Sequence, residues 1–240
     1  MGSFFHVVAT RLSNDESLIS PPSHCPNCGH QLRWYELIPI VSYVIQLGRC
    51  RKCHDQLPLS YLLIEVITGS LFTVCYKEFG LSVDLIIGLI FVSSLIIVIV
   101  SDIEYMIILD EVLLASAAII MIIYFLSTGI NSDTAYHIYS GVGAFVTMYI
   151  LKLAGDFMFK KESLGGGDIK LMFLFGLVLG YETSIMTIFL ATFIAFPIAL
   201  YILIRQKDNM IPFGPFLSIA ALILFVSGVT MTDVITFLVR

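Results

Sequence analysis

Seven long runs of apolar residues constrain the fold of this chain more than any other feature of its sequence. A helix that crosses a hydrocarbon core of roughly 30 Å needs about 20 mostly apolar residues. The predicted spans are Leu59–Tyr76, Leu81–Ser101, Val112–Leu126, Ile138–Leu153, Ile169–Tyr181, Ser184–Ile204 and Pro212–Gly228. The fifth run is short and the sixth begins almost at once after it, which predicts a tight helical hairpin.

The composition agrees with a membrane protein. The 240 residues are 58% hydrophobic and only 13% charged, with a mean hydropathy of +0.94, whereas soluble domains are about 25% charged. Because so few charged residues cannot cover the protein surface in water, the lipid bilayer is the expected solvent. We predict an all-α, polytopic bundle of about seven to eight spans. We expect no nucleic-acid binding, because the sequence has no basic stripe.

The positive residues predict the orientation, since Lys and Arg are enriched in cytoplasmic loops. The loop before the first full span carries a group of them: Arg11, Arg33, Arg49, Arg51 and Lys52. We therefore divide the chain into residues 1–13, the inner end of a helix that we expect to start upstream, a cytoplasmic loop at 14–58, and a transmembrane core at 59–240.

Two Cys-x-x-Cys pairs lie in the predicted cytoplasmic loop, Cys25 with Cys28 and Cys50 with Cys53. This spacing is typical of a structural zinc site with four thiolate ligands. Two disulfides are the first alternative, although the cytoplasm keeps thiols reduced. A redox-active Cys-x-x-Cys relay is the second.

Acidic residues gather at the same predicted membrane face from different spans. Asp102, Glu104, Asp110 and Glu111 surround the turn between the second and third spans, and Asp168 begins the fifth. Carboxylates near membrane depth are costly and suggest function. A single Asp at a helix end is more often a cap, so the convergence carries the functional interpretation.

The stretch "GGGD", Gly165–Asp168, predicts a bend beside a water-accessible pocket, because non-helical backbone at membrane depth must be buried in protein or line a wet cavity. Glycine permits unusual backbone angles and close approach between elements. Two neighbouring carboxyls that share one proton could act as an aspartic peptidase dyad. A flexible loop with an ordinary N-cap is the alternative.

An ordered set of motifs resembles the type IV prepilin leader peptidases, membrane aspartic peptidases of the Gly-x-Gly-Asp class. The matching stretches cover nearly the whole chain. In order, they are "GSFFHVVATRL" (2–12), the double Cys-x-x-Cys loop, "PLSYLLIEVITGSLF" (58–72), "SDIEYMIILDEV" (101–112), "GGGDIKLM" (165–172) and "IPFGPFLSIAAL" (211–222).

The resemblance implies an enzyme of the bacterial cytoplasmic membrane that cleaves the leader of prepilins and pseudopilins at the cytoplasmic face. Many members then methylate the new N-terminus with S-adenosylmethionine. The implied catalytic pair is Asp102 and Asp168, with Asp110 as the competing candidate for the first position. The implied supporting residues are Glu104, Lys170, Gly165, Gly167 and Glu65, the last as a contributor to substrate or methyl-donor binding.

The sequence departs from the family pattern at three positions. His6 stands where the family usually has asparagine, Ser13 where it has proline, and Leu109 where proline is frequent. The first departure touches a region linked with methyl transfer. Two alternatives from other classes are an ion-coupled secondary transporter and a membrane thiol oxidoreductase.

Overall fold

The computed structural model of the protein describes residues 2–25, 27–129, 131–162, 164–205 and 211–238, and in these ranges it is helical without a strand. A short 3-10 turn lies at Trp34–Leu37. The helices are α1 (Gly2–Ser13), α2 (Val41–Ile45), α3 (Leu59–Phe79), α4 (Val83–Tyr105), α5 (Asp110–Thr128), α6 (Ser132–Phe159), α7 (Gly166–Leu179), α8 (Tyr181–Arg205), α9 (Gly214–Ser227) and α10 (Met231–Leu238).

Every predicted span corresponds to a helix. Five helices, α3, α4, α5, α6 and α8, are long and apolar enough to cross a membrane. The other two predicted spans, α7 and α9, have 14 residues each, and a helix of that length extends only about 21 Å. The chain is therefore a multi-pass helical membrane protein in which two short helices pack among long ones.

Local sequence explains where the helices begin and end. Ser82 caps α4 by accepting a hydrogen bond from the Leu85 N–H at 3.2 Å, and Asn131 caps α6 through the Thr134 N–H at 3.0 Å. Such caps satisfy amides that have no partner inside the helix. Gly180 has a φ of +80°, which glycine adopts without a steric penalty. It forms the tight turn predicted between α7 and α8.

Helices α4 and α7 form the centre of the bundle. Helix α4 contacts α1, α3, α5 and α9, and α7 contacts α5, α6, α8 and α9. The side chains of Phe91 on α4 and Phe175 on α7 are fully buried. A helix that is apolar on all sides is expected in such a position. Each central helix carries one of the two aspartates singled out by the sequence.

The contact between α6 and α7 is unusually close. A Cβ added at Gly176 would lie 2.4 Å from the Ser140 carbonyl oxygen and 2.6 Å from the Gly141 Cα. Small residues allow two helix backbones to touch in this way within a membrane. Helix α7 is therefore held closely along its length.

Two parts of the architecture were not predicted. Before helix α10, the Thr230 N–H donates to the Asp233 carboxylate at 2.9 Å, which is one half of a capping box. The "TMTD" stretch was the signal for it. The 3-10 turn and α2 lie inside the predicted loop, at the edge of the cysteine cluster.

Candidate active site and metal centre

Asp102 lies in the last turn of α4 and is 5% exposed. Its carboxyl lies against the backbone of Gly214, the first residue of α9. A Cβ added at Gly214 would lie 2.5 Å from Asp102 Oδ2. Only glycine at this position lets the N-terminus of α9 approach the carboxyl so closely.

Asp168 lies in the first turn of α7 and is also 5% exposed. Its Oδ1 atom is buried without a hydrogen-bond partner among the described residues. Its Oδ2 atom lies 3.3 Å from the position that a Cβ on Gly165 would occupy. A buried carboxyl oxygen without a partner is uncommon and suggests a site for a water or a reacting group.

Ile108 lies between the backbone beside one carboxyl and the backbone beside the other. This residue lies in the segment between α4 and α5 and packs against both Gly167 and Gly214, whose added Cβ atoms would lie 2.6 Å and 3.0 Å from its side chain. The structure thus brings the ends of α4, α7 and α9 together around two buried carboxyls.

The glycines before Asp168 serve close packing here rather than an unusual backbone. Gly165 has a φ of −67° and a ψ of 147°, which any residue can adopt. Gly167 touches Ile108, whereas a Cβ on Gly166 would meet nothing within 4 Å. Of the two uses predicted for these glycines, the structure employs close approach.

The other charged residues predicted for the site pair with residues other than Asp102 and Asp168. Lys170 on α7 donates to Asp110 on α5, and both side chains are 47% exposed. Glu104 Oε1 lies 3.1 Å from the Nε2 atom of His6, which is buried. The Asp110 carboxyl is thus a half-exposed partner of a lysine, in contrast to the buried Asp102 carboxyl.

Glu65 anchors the cysteine loop to the membrane helices. Its carboxylate accepts a hydrogen bond from the Ile40 N–H, and the residue is 9% exposed. Gly2 of α1 packs directly on its backbone, since an added Cβ would lie 2.6 Å from the Glu65 Cα. Its role in substrate or methyl-donor binding stays a prediction.

The four predicted cysteines form one cluster. The Sγ atoms of Cys25, Cys28, Cys50 and Cys53 all lie within 4.8 Å of one another. Cys25 and Cys53 are 3.8 Å apart, and Cys28 and Cys50 are 3.9 Å apart. A tetrahedron with Zn–S bonds of about 2.3 Å has edges of about 3.8 Å. The cluster therefore fits a tetrahedral metal such as zinc.

The thiols are electrostatically unequal. Backbone hydrogen bonds from Cys53 and Lys52 lower the pKa of Cys50 to about 6. The Asp55 backbone lowers that of Cys53, but desolvation and hydrogen bonds to the other thiols outweigh it and raise the pKa to about 12. A second thiolate beside the first is costly, and a divalent cation would remove that cost.

The two Cys-x-x-Cys segments fold into the same knuckle. The backbone N–H of Cys25 donates to the His30 carbonyl, and that of Cys50 donates to the Asp55 carbonyl, each at 2.9 Å. Four residues after the first cysteine of each pair the backbone is left-handed, with φ of +66° at Gly29 and +58° at His54. His24, His30 and His54 are not members of this four-sulfur group.

Sequence reasoning missed three contributors to this site. Ile108 and Gly214 both lie in quoted motifs, but no pattern assigned them a contact with the aspartates. The His6–Glu104 contact was also missed, although both residues had been noted separately. Each depends on residues far apart in the chain, which spacing alone cannot relate.

Two family models match the chain. A model described as the bacterial peptidase A24 N-terminal domain matches residues 1–79, and the model of the type IV leader peptidase family matches residues 89–200. No solved structure shows significant similarity.

Several curated relatives carry the name prepilin leader peptidase/N-methyltransferase. The Bacillus subtilis protein is 30% identical over 252 residues, covering 100% of this chain and 94% of the relative. The Vibrio cholerae protein is 28% identical, covering 95% and 92% respectively. The Myxococcus xanthus protein is 33% identical over 76% of this chain, which spans only 54% of that relative.

Proposed function

Because this chain belongs to the type IV leader peptidase family, we propose that it is a membrane aspartic endopeptidase that cleaves the leader of type IV prepilins or pseudopilins. Asp102 and Asp168 are the proposed catalytic pair, and Gly165 and Gly167 give the pair its close packing. The other functions considered, ion-coupled transport and thiol oxidoreduction, are not favoured.

One observation carries the proposal. Two buried carboxyls from the two central helices face a common neighbourhood, and one oxygen, Asp168 Oδ1, has no partner among the described residues. A structural aspartate at a helix start normally caps the helix through its own oxygens. An unpartnered buried oxygen beside a second carboxyl instead suits a site that holds the attacking water.

The chemistry follows from the pair sharing one proton. Two carboxyls that share a site do not both ionise readily, so one would remain protonated. The ionised carboxyl accepts a proton from water while the water attacks the scissile carbonyl carbon. The protonated carboxyl donates a hydrogen bond to the carbonyl oxygen. Asp102 lies against the Gly214 backbone, where the end of α4 meets the start of α9.

We propose that this site faces the cytoplasm, where the positive residues of the chain predict the loops to lie. A prepilin would present its leader from that side, with its apolar helix continuing into the bilayer. Lys170, Asp110 and Glu104 would then lie at the mouth of the site. Their charges would influence the protonation of the proposed catalytic pair.

We infer that the four cysteines hold a structural zinc ion. Structural zinc sites are closed by four protein ligands, whereas catalytic sites keep a position open for water. Here all four positions are thiols, so a bound ion would supply folding energy rather than a nucleophile. Zinc that protects the four thiols from alkylation would support this role, and reversible disulfides without metal would support a redox relay.

We also propose methylation of the new N-terminus, with S-adenosylmethionine as the donor. Two hollows in the cysteine loop have volumes of about 740 Å³ and 480 Å³, and both are lined by Arg49. Neither hollow is lined by a carboxylate that could pair with the sulfonium of the donor. Neither hollow therefore fits the donor, and we assign the donor to neither of them.

The test is incubation of the purified protein with a prepilin-like peptide that contains a Gly-Phe junction. Mass spectrometry would follow loss of the leader and, with the methyl donor present, a gain of about 14 Da for one methyl group. We expect cleavage after the glycine by the native protein and none by Asp168→Asn. Normal cleavage by an inserted, zinc-loaded Asp168→Asn variant would remove this residue from the pair.

A further inference from the structure

The cysteine loop carries an apolar segment that no described part of the protein covers. Between the two knuckles, the side chains of residues 37–47 are largely exposed to the outside of the molecule. The exposed fractions are 44% for Leu37, 39% for Ile38, 38% for Ile40, 49% for Val41, 57% for Val44, 75% for Ile45 and 84% for Leu47. So contiguous an apolar surface is unusual for a loop in water.

The contacts of α1 fix the depth of this segment relative to the bundle. The His6 ring packs on Tyr61 of α3 with centroids 4.5 Å apart, and its Nε2 atom contacts Glu104 of α4. Tyr61 and Glu104 therefore lie at one level. Asp102 is about 3 Å deeper along α4, and Glu65 is about 6 Å deeper along α3.

The apolar segment is attached at this depth. The Ile40 N–H donates to the Glu65 carboxylate, which places Ile40 beside the first two turns of α3 rather than above its end. Ile40 has a φ of +62° and a ψ of −52°, and Val41 N–H bonds the Pro39 carbonyl across it. This is a rare, strained γ-turn. Such strain persists only where the surroundings enforce it.

The neighbouring membrane helix exposes apolar side chains at a similar depth. On α3 the exposed apolar side chains include Leu59 at 59%, Leu63 at 52% and Ile67 at 50%. Because α3 is long and apolar enough to span a membrane, these side chains face lipid. Glu65 lies on the opposite, buried face of α3, so the segment that it holds lies at the depth of these side chains but not on their face.

The charges of the loop fit an anionic lipid surface. Arg49 and Arg51 line the same hollow as Ile38, Val41 and Ile45, so guanidinium groups and apolar side chains share one face. Trp34 and Tyr35 precede the segment, and Trp34 is 78% exposed. Tryptophan and tyrosine concentrate at membrane interfaces. Basic side chains beside an apolar face are typical of segments that lie in the headgroup region.

We propose that residues 37–47 insert into the cytoplasmic leaflet of the bilayer, with Trp34, Arg49 and Arg51 at the headgroups. The cysteine loop then lies against the membrane beside the active-site face, instead of extending freely into the cytoplasm. Glu65 is the buried group that holds it there. The occupant of the apolar surface is the lipid itself.

The test uses tryptophan fluorescence, because the sequence contains a single tryptophan. The full protein is reconstituted into vesicles of phosphatidylethanolamine and phosphatidylglycerol, with either native or brominated acyl chains. The decisive variant moves the probe to the middle of the segment, as Ile45→Trp combined with Trp34→Phe. Its retained zinc content reports that the loop is folded.

Two matched variants calibrate the measurement, each also carrying Trp34→Phe. Leu114→Trp places the probe on α5, where Leu114 is 68% exposed and faces lipid. Lys52→Trp places it on the exposed second knuckle. We expect the probe at position 45 to lose most of its emission to brominated lipid, as at position 114, and little to aqueous iodide.

Two results would overturn the proposal. Quenching of the position-45 probe by iodide but not by brominated lipid, as expected at position 52, would place the segment in water. Protection from both quenchers would mean that protein covers it, such as a second copy of this chain. The outcome does not depend on peptidase activity, so it is separate from the test of the proposed reaction.

Discussion

The cysteine loop and the carboxylate site are built in opposite ways. The four thiols come from one continuous loop, and each pair is shaped by hydrogen bonds within a few residues. The carboxylate site instead needs the ends of α4, α7 and α9 and the segment that holds Ile108. A local site can be recognised from spacing, whereas an assembled site depends on contacts between distant segments.

This difference predicts that the two regions fail separately. Loss of a local element should leave the helix bundle intact, while a small change at a helix contact should damage the assembled site and leave the metal in place. Five perturbations test this independence.

Removal of the metal should have the largest effect on the structure, and the damage should be confined to the cysteine loop. Structural zinc contributes about 10–16 kcal/mol to the folding of zinc-finger peptides. We expect Cys28→Ser or a strong chelator to expose the remaining thiols to alkylation while circular dichroism shows little loss of helix. A parallel collapse of the transmembrane helices would mean that the two regions are not independent.

Removal of either carboxyl of the proposed catalytic pair should abolish cleavage without changing the fold. Positioned acids and bases contribute about 10²–10⁴-fold each, so Asp102→Asn and Asp168→Asn should lower kcat/KM by at least that range. Residues that act as a unit are not additive. The double variant should be no slower than either single one, and a further multiplicative loss would contradict a shared-proton pair.

Adding one methyl group at a helix contact should damage the carboxylate site selectively. Overpacking costs typically about 1–3 kcal/mol, and the Cβ of Gly214→Ala or Gly167→Ala would lie within 2.6 Å of Asp102 or Ile108. We expect lower Tm and slower cleavage with normal zinc content. Gly166→Ala is the matched control, because nothing lies within 4 Å of its added Cβ.

The two knuckles allow a smaller, strictly local test. His54 occupies the left-handed position that Gly29 occupies in the first knuckle, and this conformation costs a residue with a Cβ about 1–2 kcal/mol. His54→Gly should therefore tighten zinc retention against a competing chelator, by up to about tenfold. Gly29→Ala should weaken it by a similar factor. Equal effects of opposite sign would identify backbone conformation as the cause.

The Lys170–Asp110 pair should matter least. Both side chains are 47% exposed, and exposed ion pairs contribute about 0–1 kcal/mol. Asp110→Asn and Lys170→Met should each change cleavage by less than about tenfold. A double-mutant cycle would measure their coupling. A loss from Asp110→Asn as large as that from Asp102→Asn would move the first catalytic position to Asp110.

The sequence predicted the elements better than their contacts. Apolar runs located the helices from α3 to α9, and the Cys-x-x-Cys spacing identified the metal cluster, because both signals lie within continuous segments. The ordered motifs pointed to Asp102 and Asp168 through family resemblance.

The partners of these residues were beyond reach for a physical reason. Gly214 touches Asp102, Ile108 touches Gly167, and His6 touches Glu104, yet each contact joins segments that are separate in the chain. Periodicity describes one element at a time, so it cannot say which distant side chains meet. The short α10 was missed for another reason. Its signal at Thr230–Asp233 follows the last predicted span and was not assigned to a helix.

The shortness of α7 has a consequence for how the enzyme and its lipid fit together. Its 14 residues extend about 21 Å, roughly two thirds of an average hydrocarbon layer. Because α7 is surrounded by other helices, the non-helical backbone before it lies inside the protein, where at membrane depth it must be buried or line a wet cavity. On the proposed function, the water for hydrolysis is therefore carried down to a peptide bond below the phosphates, and a substrate helix need not be pulled out of the membrane to be cut.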